Sequence, residues 1–127
     1  MIAVDTSALI TVLLREPGFE ECIAALSENA DALISAGTLS ETRIVATQRS
    51  VGPQLTALLH RKKFSVIAVT EATSERIGQI YARWGKGLHP AGLNLGDCFA
   101  YDVAKEHSCP LLFVGNDFSR TDIKSAI

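Results

Sequence analysis

The chain has 127 residues, of which 47% are hydrophobic and 20% are charged, and this balance is that of an ordinary globular domain. The length predicts a single domain over residues 1–127 with its own hydrophobic core, which excludes a disordered chain and a scaffold that depends on disulfides. Twelve basic and fourteen acidic residues leave a net charge of −2, which taken alone argues against a nucleic-acid partner, since such domains are usually basic.

The cysteines and the first residues indicate the environment in which the protein works. Cys22, Cys98 and Cys109 form no CxxC pair, so we expect neither a zinc site nor a disulfide framework but three buried thiols in a reducing cytoplasm. The aliphatic run over residues 8–14 is far shorter than the roughly 20 residues of a membrane span. Because Asp5 interrupts the first apolar run and no basic residue precedes it, we expect no signal peptide.

Hydrophobic periodicity and turn residues predict strands that alternate with helices. In chain order, the pattern predicts strand 2–4, helix 7–15, helix 19–29, strand 32–35, helix 38–50, helix 53–63, strand 64–69, helix 70–84, a loop over 85–95, helix 96–107, strand 111–114 and a short terminal helix. Thr38 and Glu41 have the spacing of a capping box, which places a helix start at Thr38. This order predicts an α/β fold, a three-layer α/β/α arrangement with a central, mostly parallel sheet.

Four acidic side chains follow different elements of this predicted sheet. Asp5 comes directly after the first strand, and Asp117 follows the last. Glu41 and Asp97 lie in the first turns of the two helices predicted to start at residues 38 and 96. Any one of these acids could simply complement a helix dipole, a contribution of about 0.3–1 kcal/mol. Because ligands of open α/β sheets bind beyond the carboxyl ends of the strands, we expect the four carboxylates to meet there.

Such a cluster of carboxylates requires neutralisation by protons or cations. Two carboxylates about 5 Å apart repel each other by about 3 kcal/mol at an effective dielectric constant of 20. Ligands that are all oxygen favour Mg²⁺ or Mn²⁺ over zinc. His60, His89 and His107 lie outside these positions, and we expect them to have surface or packing roles. The sequence therefore predicts a divalent-cation site formed by the four acids.

Four segments of the chain resemble the motifs of a known family. In order, they read IAVDTSALI, LSETRIVATQR, LNLGDCFAYDVAKE and LLFVGNDFSRTDI. Together they resemble the PIN-domain ribonucleases and, among these, the VapC toxins of bacterial type II toxin–antitoxin pairs. The resemblance covers essentially the whole chain, and four motifs in the right order are far more specific than any one of them alone.

The resemblance assigns the acidic quartet to the family's Mg²⁺ or Mn²⁺ site. It matches Thr6 to the hydroxyl residue that supports the site and Asn94 to the polar residue before the Gly-Asp pair. Relatives often read Gly-Asp-Asp-Phe where this chain has Gly-Asn-Asp-Phe, so it stays open whether Asp117, Asn116 or Asp122 completes the acidic site.

Asp102 is left out of the predicted site. It follows Asp97 by five residues, which is about 500° around a helix, and therefore points well away from it.

The resemblance further implies a divalent-metal-dependent endoribonuclease that hydrolyses RNA phosphodiesters through a metal-activated water. A carboxylate not fully engaged by metal, Asp97 or Asp117, would orient the water or take its proton. The expected partners are the RNA substrate, a VapB-like antitoxin whose C-terminal segment would cover the acidic pocket, and a second copy of the chain in a homodimer. No membrane partner is expected.

A bound divalent ion would raise the formal charge from −2 to 0, which answers the objection from net charge. The basic run Arg61–Lys63 is a candidate for contacts with RNA phosphates, although a solvated helix end explains it equally well. The other basic candidates are Arg43, Arg49, Arg83 and Lys86.

Three other classes of protein share parts of this pattern. A non-catalytic RNA-binding domain of the same fold would have lost acids that this chain keeps. A Mg²⁺-binding receiver domain would have a second acid beside Asp5, where this chain has Thr6. A phosphatase of the haloacid-dehalogenase type would have an aspartate at the position of Ser7.

Overall fold

The computed structural model describes all 127 residues. It contains four short strands and six helices. The strands are β1 (Ile2–Val4), β2 (Ala32–Ser35), β3 (Ser65–Ile67) and β4 (Leu111–Leu112), and the helices are α1 (Thr6–Leu14), α2 (Phe19–Glu28), α3 (Ala36–Gln48), α4 (Gly52–Arg61), α5 (Glu71–Trp84) and α6 (Leu95–Glu106). None of the helices has the length and apolar character needed to cross a membrane.

The four strands form one sheet in the order β3-β2-β1-β4, and every pair is parallel. Ala3 in β1 pairs with Leu33 on one side and with Leu111 on the other. The chain therefore builds outward from β1 to β3 and then returns across β1 to add β4. This reversal puts the switch point of the strand order between β1 and β4, where α/β sheets bind their ligands.

Both faces of the sheet are covered, which confirms the three-layer prediction. Successive residues of a strand point to opposite faces. Ile2 and Val4 pack in one core cluster with residues of α1, α2 and α4, whereas Ala3 packs in a second cluster with residues of α5 and α6. The α/β/α arrangement therefore follows from strands that are apolar on both sides.

The start of α3 differs from the prediction. The helix begins at Ala36 because the Ser35 side chain accepts a hydrogen bond from the Gly37 backbone N–H at 3.1 Å and so caps the first turn. The predicted capping box between Thr38 and Glu41 does not form, and Glu41 lies in the second turn of the helix rather than the first. A local capping pattern has here been overridden by a better cap upstream and by a tertiary contact of Glu41.

The end of the chain also differs from the prediction, because no helix follows β4. Residues 115–122 form bends and turns, and Ser125 makes an isolated parallel bridge to Leu111. The backbone N–H of Ala126 donates to the Leu111 carbonyl at 2.9 Å. The last residues therefore cover the outer edge of β4 instead of coiling, and pairing with an exposed strand edge satisfies backbone groups that a single helical turn would leave open.

All three cysteines are free thiols. Cys22 and Cys98 are buried, as predicted. The prediction of a third buried thiol is wrong, since Cys109 lies in the turn before β4 and is only half-buried.

Candidate active site

Asp5 lies at the carboxyl end of β1, beside the switch point of the sheet. It is the N-cap of α1, and its Oδ2 accepts hydrogen bonds from the Ser7 backbone N–H at 3.1 Å and from the Ser7 hydroxyl at 2.6 Å. The same Ser7 hydroxyl oxygen accepts from the backbone N–H of Val114 at 3.0 Å. Ser7, which the sequence analysis did not place in the site, therefore ties the end of β1 to the end of β4.

Glu41 approaches the same edge of the sheet from α3. Its Oε1 accepts a hydrogen bond from the Thr6 hydroxyl at 2.7 Å. Thr6 is buried, and its Oγ1 also lies 2.9 Å from Thr42 Oγ1. These contacts hold the Glu41 carboxylate against the first turn of α1, and Thr6 in that turn directly follows Asp5 in the sequence. The supporting role that the resemblance implied for Thr6 thus has a physical basis in this hydrogen bond.

Asp97 enters the site from the first turn of α6. Asn94 is the N-cap of this helix, and the two residues form a reciprocal capping box: Asp97 N–H donates to Asn94 Oδ1 at 2.9 Å, and Asn94 N–H donates to Asp97 Oδ2 at 3.0 Å. The helix dipole further favours a negative charge at this end. The spacing Asn-x-x-Asp is a capping signal, and it could have revealed the role of Asn94 from the sequence.

Asp117 and Asp122 have different surroundings, which bears on the open question about the fourth acid. Asp117 is exposed in the turns after β4, and its negative charge contributes to raised pKa values at Asp5 and Asp97. Asp122 instead accepts hydrogen bonds from the Tyr101 hydroxyl at 2.6 Å and from Lys105 Nζ at 2.8 Å.

Partial burial alone would raise the pKa of Asp122, but the hydrogen bonds from Lys105 and Tyr101 outweigh it and lower the pKa. Lys105 is in the last turn of α6, whereas Asp97 is in the first turn. Of these two acids, Asp117 is therefore the one whose charge acts on the cluster.

The electrostatics of the site indicate crowded negative charge. Burial, reinforced by the charges of Glu41 and Asp117, raises the pKa of Asp5 to about 6, even though the hydrogen bonds from Ser7 oppose the rise. Burial also raises the pKa of Asp97 to about 6, and the charges of Asp5, Asp117 and Glu41 act in the same direction. The four predicted acids are thus close enough to interact electrostatically, and none of them forms a salt bridge with a cation of the protein.

The remaining candidates lie outside this cluster. Asp102 accepts a two-pronged hydrogen bond from Arg76, at 2.7 Å from Nε and 3.1 Å from Nη2, and so joins α6 to α5. His89 packs edge-on against Trp84 with ring centroids 4.8 Å apart. His107 Nδ1 lies 3.0 Å from the carbonyl oxygen of its own helix at residue 103, and His60 is exposed.

Three of the carboxylates share one feature that bears on cation binding. In Asp5, Glu41 and Asp97, one oxygen is held by the hydrogen bonds given above, and the other accepts no hydrogen bond from the protein. None of these free oxygens is sealed inside the molecule, because the one buried side-chain polar atom without a partner is Thr38 Oγ1. A set of accessible, oriented carboxylate oxygens fits a hard divalent cation such as Mg²⁺ or Mn²⁺.

The carboxylates do not form a ready-made set of ligands. No three His, Cys, Asp or Glu side chains stand in an arrangement that could hold a metal ion as they are. Like charges repel, so carboxylates without a cation stay apart. A bound cation would therefore require the free oxygens to come closer together than they are in this structure.

The family is shown by comparison with known proteins. Residues 2–124 match the family described as PIN domain, so the chain belongs to the PIN-domain family. It is 40% identical to ribonuclease VapC30 of Mycobacterium tuberculosis over 125 residues, which cover 96% of this chain and 95% of that protein. It is 38% identical to ribonuclease VapC of Mycolicibacterium smegmatis, with 96% and 97% covered. These relatives place it among the VapC proteins of the family.

Solved structures agree on the fold. Mycobacterium tuberculosis VapC20, described as a sarcin–ricin loop cleaving toxin, superposes with a TM-score of 0.79 at 16% identity, covering 97% of this chain and 96% of that one. A toxin–antitoxin complex from Klebsiella pneumoniae gives a TM-score of 0.72 at 21% identity, with 96% and 93% covered.

Proposed function

We propose that this chain is a divalent-metal-dependent endoribonuclease and the toxin of a toxin–antitoxin pair. The observation that carries the proposal is the convergence of Asp5, Glu41 and Asp97 from three different elements, each with one oxygen anchored and one free. Its relatives carry the name ribonuclease, which gives the proposed reaction class.

The proposed roles follow from the surroundings of each side chain. Asp5, Glu41 and Asp97 would hold Mg²⁺ or Mn²⁺ through their free oxygens, and Asp117 would complete the site. When bound, the cation supplies positive charge that activates a water and stabilises the charge that develops on the phosphate. Asp117 is exposed and accepts no hydrogen bond from the protein, so it can orient the attacking water or accept its proton. The resemblance to the family implies products with a 5′-phosphate and a 3′-hydroxyl, so the attacking water would displace the 3′-oxygen. Because water is the nucleophile, the 2′-hydroxyl is not needed and no 2′,3′-cyclic phosphate would form.

The experiment is cleavage of a fluorescent single-stranded RNA with Mn²⁺ or Mg²⁺. We expect Asp5→Asn to abolish cleavage and Asp31→Asn to leave it unchanged, because Asp31 is an exposed acid at the opposite, amino edge of the sheet. Cleavage that survives EDTA, or products that end in a 2′,3′-cyclic phosphate, would refute the mechanism. RNA binding without cleavage by the wild-type protein would favour the non-catalytic alternative.

We propose that the RNA-contacting cations lie near the loop before α6 rather than at Arg61–Lys63. Lys62 Nζ donates to the Asn29 carbonyl, and the N-terminal amine donates to Asn29 Oδ1 at 3.2 Å, so this basic run lies at the amino edge, opposite the acids. Arg83 stacks over the ring of Trp84 at 4.5 Å at the end of α5, and residues 85–93 connect this end to the cap of α6. Charge reversal of Arg83 should therefore weaken RNA binding more than charge reversal of Lys63.

We propose that a VapB-like antitoxin occupies an apolar groove between α1, α2 and α4, in addition to the acidic pocket that its C-terminal segment is expected to cover. A cavity of about 370 Å³ lies there; most of its lining residues are apolar, two are arginines, and none of the four acids is among them. Its lining residues are Val12, Leu13, Arg15, Phe19, Ile23, Gln54, Ala57, Leu58 and Arg61. This combination suits an amphipathic segment with acidic side chains, and the Klebsiella complex shows that a protein of this fold forms such a pair.

The groove is tested by Ile23→Glu, a change at a side chain that is 43% exposed and so tolerant of substitution. We expect loss of antitoxin binding with RNA cleavage intact. Val66→Glu is the matched control, since Val66 is 51% exposed on β3, outside the groove. Equal antitoxin binding by both variants would refute the assignment.

We also propose a homodimer that acts in the cytoplasm, where the free thiols stay reduced. Ile44 in α3 and Leu95 in α6 expose 60% and 62% of their surfaces, on the two helices that carry Glu41 and Asp97. Large exposed apolar side chains of this kind mark interfaces. Sedimentation of Ile44→Glu as a monomer, with the wild type as a dimer, would support this surface, and a monomeric wild type would refute it.

A further inference from the structure

Helices α3 and α6 approach each other closely at two places, and at each place a glycine of one helix receives a side chain of the other. A Cβ atom on Gly37 would stand 2.6 Å from the ring of Phe99. A Cβ atom on Gly96 would overlap Glu41 Oε2 and stand 2.8 Å from Glu41 Cδ. Real Cβ atoms essentially never come within 3.0 Å of other heavy atoms, so neither contact would accept even alanine without displacement.

Backbone conformation does not explain a glycine at residue 96. Gly115, in the turns after β4, has a φ of 98°, which side chains rarely adopt, but Gly96 lies in the first turn of α6 with ordinary helical backbone. In that position glycine weakens a helix relative to alanine. What Gly96 provides is therefore space, and the group that fills this space is the Glu41 carboxylate.

The two oxygens of Glu41 consequently have different neighbours. Oε1 accepts the hydrogen bond from Thr6, and Oε2, which accepts none from the protein, lies against Gly96. Gly96 immediately precedes Asp97, so the Glu41 carboxylate packs against the turn of α6 that carries Asp97, and a side chain at residue 96 would displace it. Gly37 and Phe99 set the spacing of the same two helices, but through a contact that involves no carboxylate.

We infer that Gly96 is a positioning residue for Glu41, and that its missing side chain lets Glu41 and Asp97 share one divalent cation. The inference rests on the proposed function insofar as it treats these two acids as cation ligands. Any side chain at residue 96 would push the Glu41 carboxylate away from α6 and so lower the affinity for the cation, although neither ligand is itself altered.

The first arm of the test measures Mn²⁺ affinity by titration calorimetry on the folded, full-length protein. Gly96→Ala should weaken Mn²⁺ binding about 10–100-fold, the usual effect of changing a residue that orients a metal ligand. Gly78→Ala, at an exposed helical glycine with nothing within 4 Å of an added Cβ, should leave the affinity unchanged.

Rescue distinguishes positioning from general damage. Glu41→Asp, one methylene shorter, should weaken Mn²⁺ binding in the wild type but strengthen it in the Gly96→Ala background, because the shorter side chain avoids the new methyl group. Wild-type affinity in Gly96→Ala would overturn the inference and leave the proposed function standing. A wild-type protein that binds no Mn²⁺ would overturn both.

The second arm needs no metal and covers the case in which Gly96→Ala folds poorly. Gly96→Ala should stabilise the protein less, as measured by the midpoint of thermal unfolding, in the wild type than in the Glu41→Ala background. Only in the wild type does the new methyl group displace a carboxylate, whereas both backgrounds gain the helix propensity of alanine. An equal change of the midpoint in both backgrounds would mean that the methyl group does not contact Glu41, and the inference would be wrong.

Discussion

Two buried aspartates on α6 differ in whether the protein supplies them with a positively charged partner. Asp97 and Asp102 are 7% and 4% exposed and lie five residues apart on one helix. Asp102 meets the fork of Arg76 and joins α6 to α5. Asp97 has no cation within the protein and faces three other carboxylates, which together with burial raise its pKa to about 6. The charge of a buried acid with a partner is neutralised within the fold, whereas a buried acid without a partner is a candidate for binding a cation from outside.

The largest expected effect comes from neutralising the charge of Asp97. Asp97→Asn should reduce RNA cleavage at least about a hundredfold, because it removes one ligand of the proposed cation. The metal-free variant should be as stable as the wild type or more so above pH 6, since a charge that is buried and repelled by its neighbours is gone. Cleavage assays and chemical denaturation measure the two quantities, and a strong loss of metal-free stability would instead indicate a purely structural acid.

Removing the partner of Asp102 should lower the stability of the fold and leave the proposed cation site intact, the reverse of what is expected for Asp97→Asn. Arg76→Met keeps the apolar stem but leaves Asp102 buried without its cation, which should cost about 2–3 kcal/mol, less than for a fully buried pair because the Arg76 side chain is 34% exposed. The unfolding temperature should fall by about 10 °C. Mn²⁺ affinity should be unchanged, and a large loss of affinity would show that the two acids of α6 are not independent.

The metal-free protein should lose stability as the pH rises from about 4 to about 6. Asp5 and Asp97 have pKa values of about 6 in the folded state and about 3.9 in the unfolded state. The folded state therefore binds more protons between these values, so its advantage, up to about 2–3 kcal/mol per group, is present below pH 4 and disappears by pH 6.

The measurement is chemical denaturation across this pH range in EDTA, with Asp97→Asn as the reference that cancels the other titrating groups. The free energy of unfolding of the wild type minus that of Asp97→Asn should decrease as the pH rises from about 4 to about 6. A flat difference would mean that neither burial nor the neighbouring charges raise the pKa of Asp97.

The smallest effect is expected at the cap of α6. Asn94→Ala removes the acceptor for the Asp97 N–H and should cost about 1 kcal/mol of stability. It also loosens the first turn that carries Asp97, so Mn²⁺ affinity should fall modestly, whereas Thr70→Ala, at the equivalent cap of α5, should cost similar stability with no effect on Mn²⁺. Equal Mn²⁺ affinities in the two variants would show that the cap of α6 has no role in orienting Asp97.

The sequence was sufficient to predict the order of strands and helices, because each buried strand is a short apolar run and each helix has an apolar face. It also predicted that Asp5 and Asp97 flank one edge of the sheet, since both residues directly follow or start an element. The signals for Ser7 and for the cap formed by Asn94 were present in local spacing but were not used. The short terminal helix was predicted wrongly because a bridge to β4 competes with local propensity.

The parallel α/β/α fold and the acids at the strand ends could be predicted from the sequence, because periodicity and strand-end positions are local properties. The groups that those acids contact depend on how separate elements pack together. Asp122 pairs with Tyr101 and Lys105. The Glu41 side chain accepts a hydrogen bond from Thr6 of another helix, and the missing side chain of Gly96 leaves space for the Glu41 carboxylate. Such contacts join residues from separate elements, and their energies depend on packing distances that no spacing along the chain specifies.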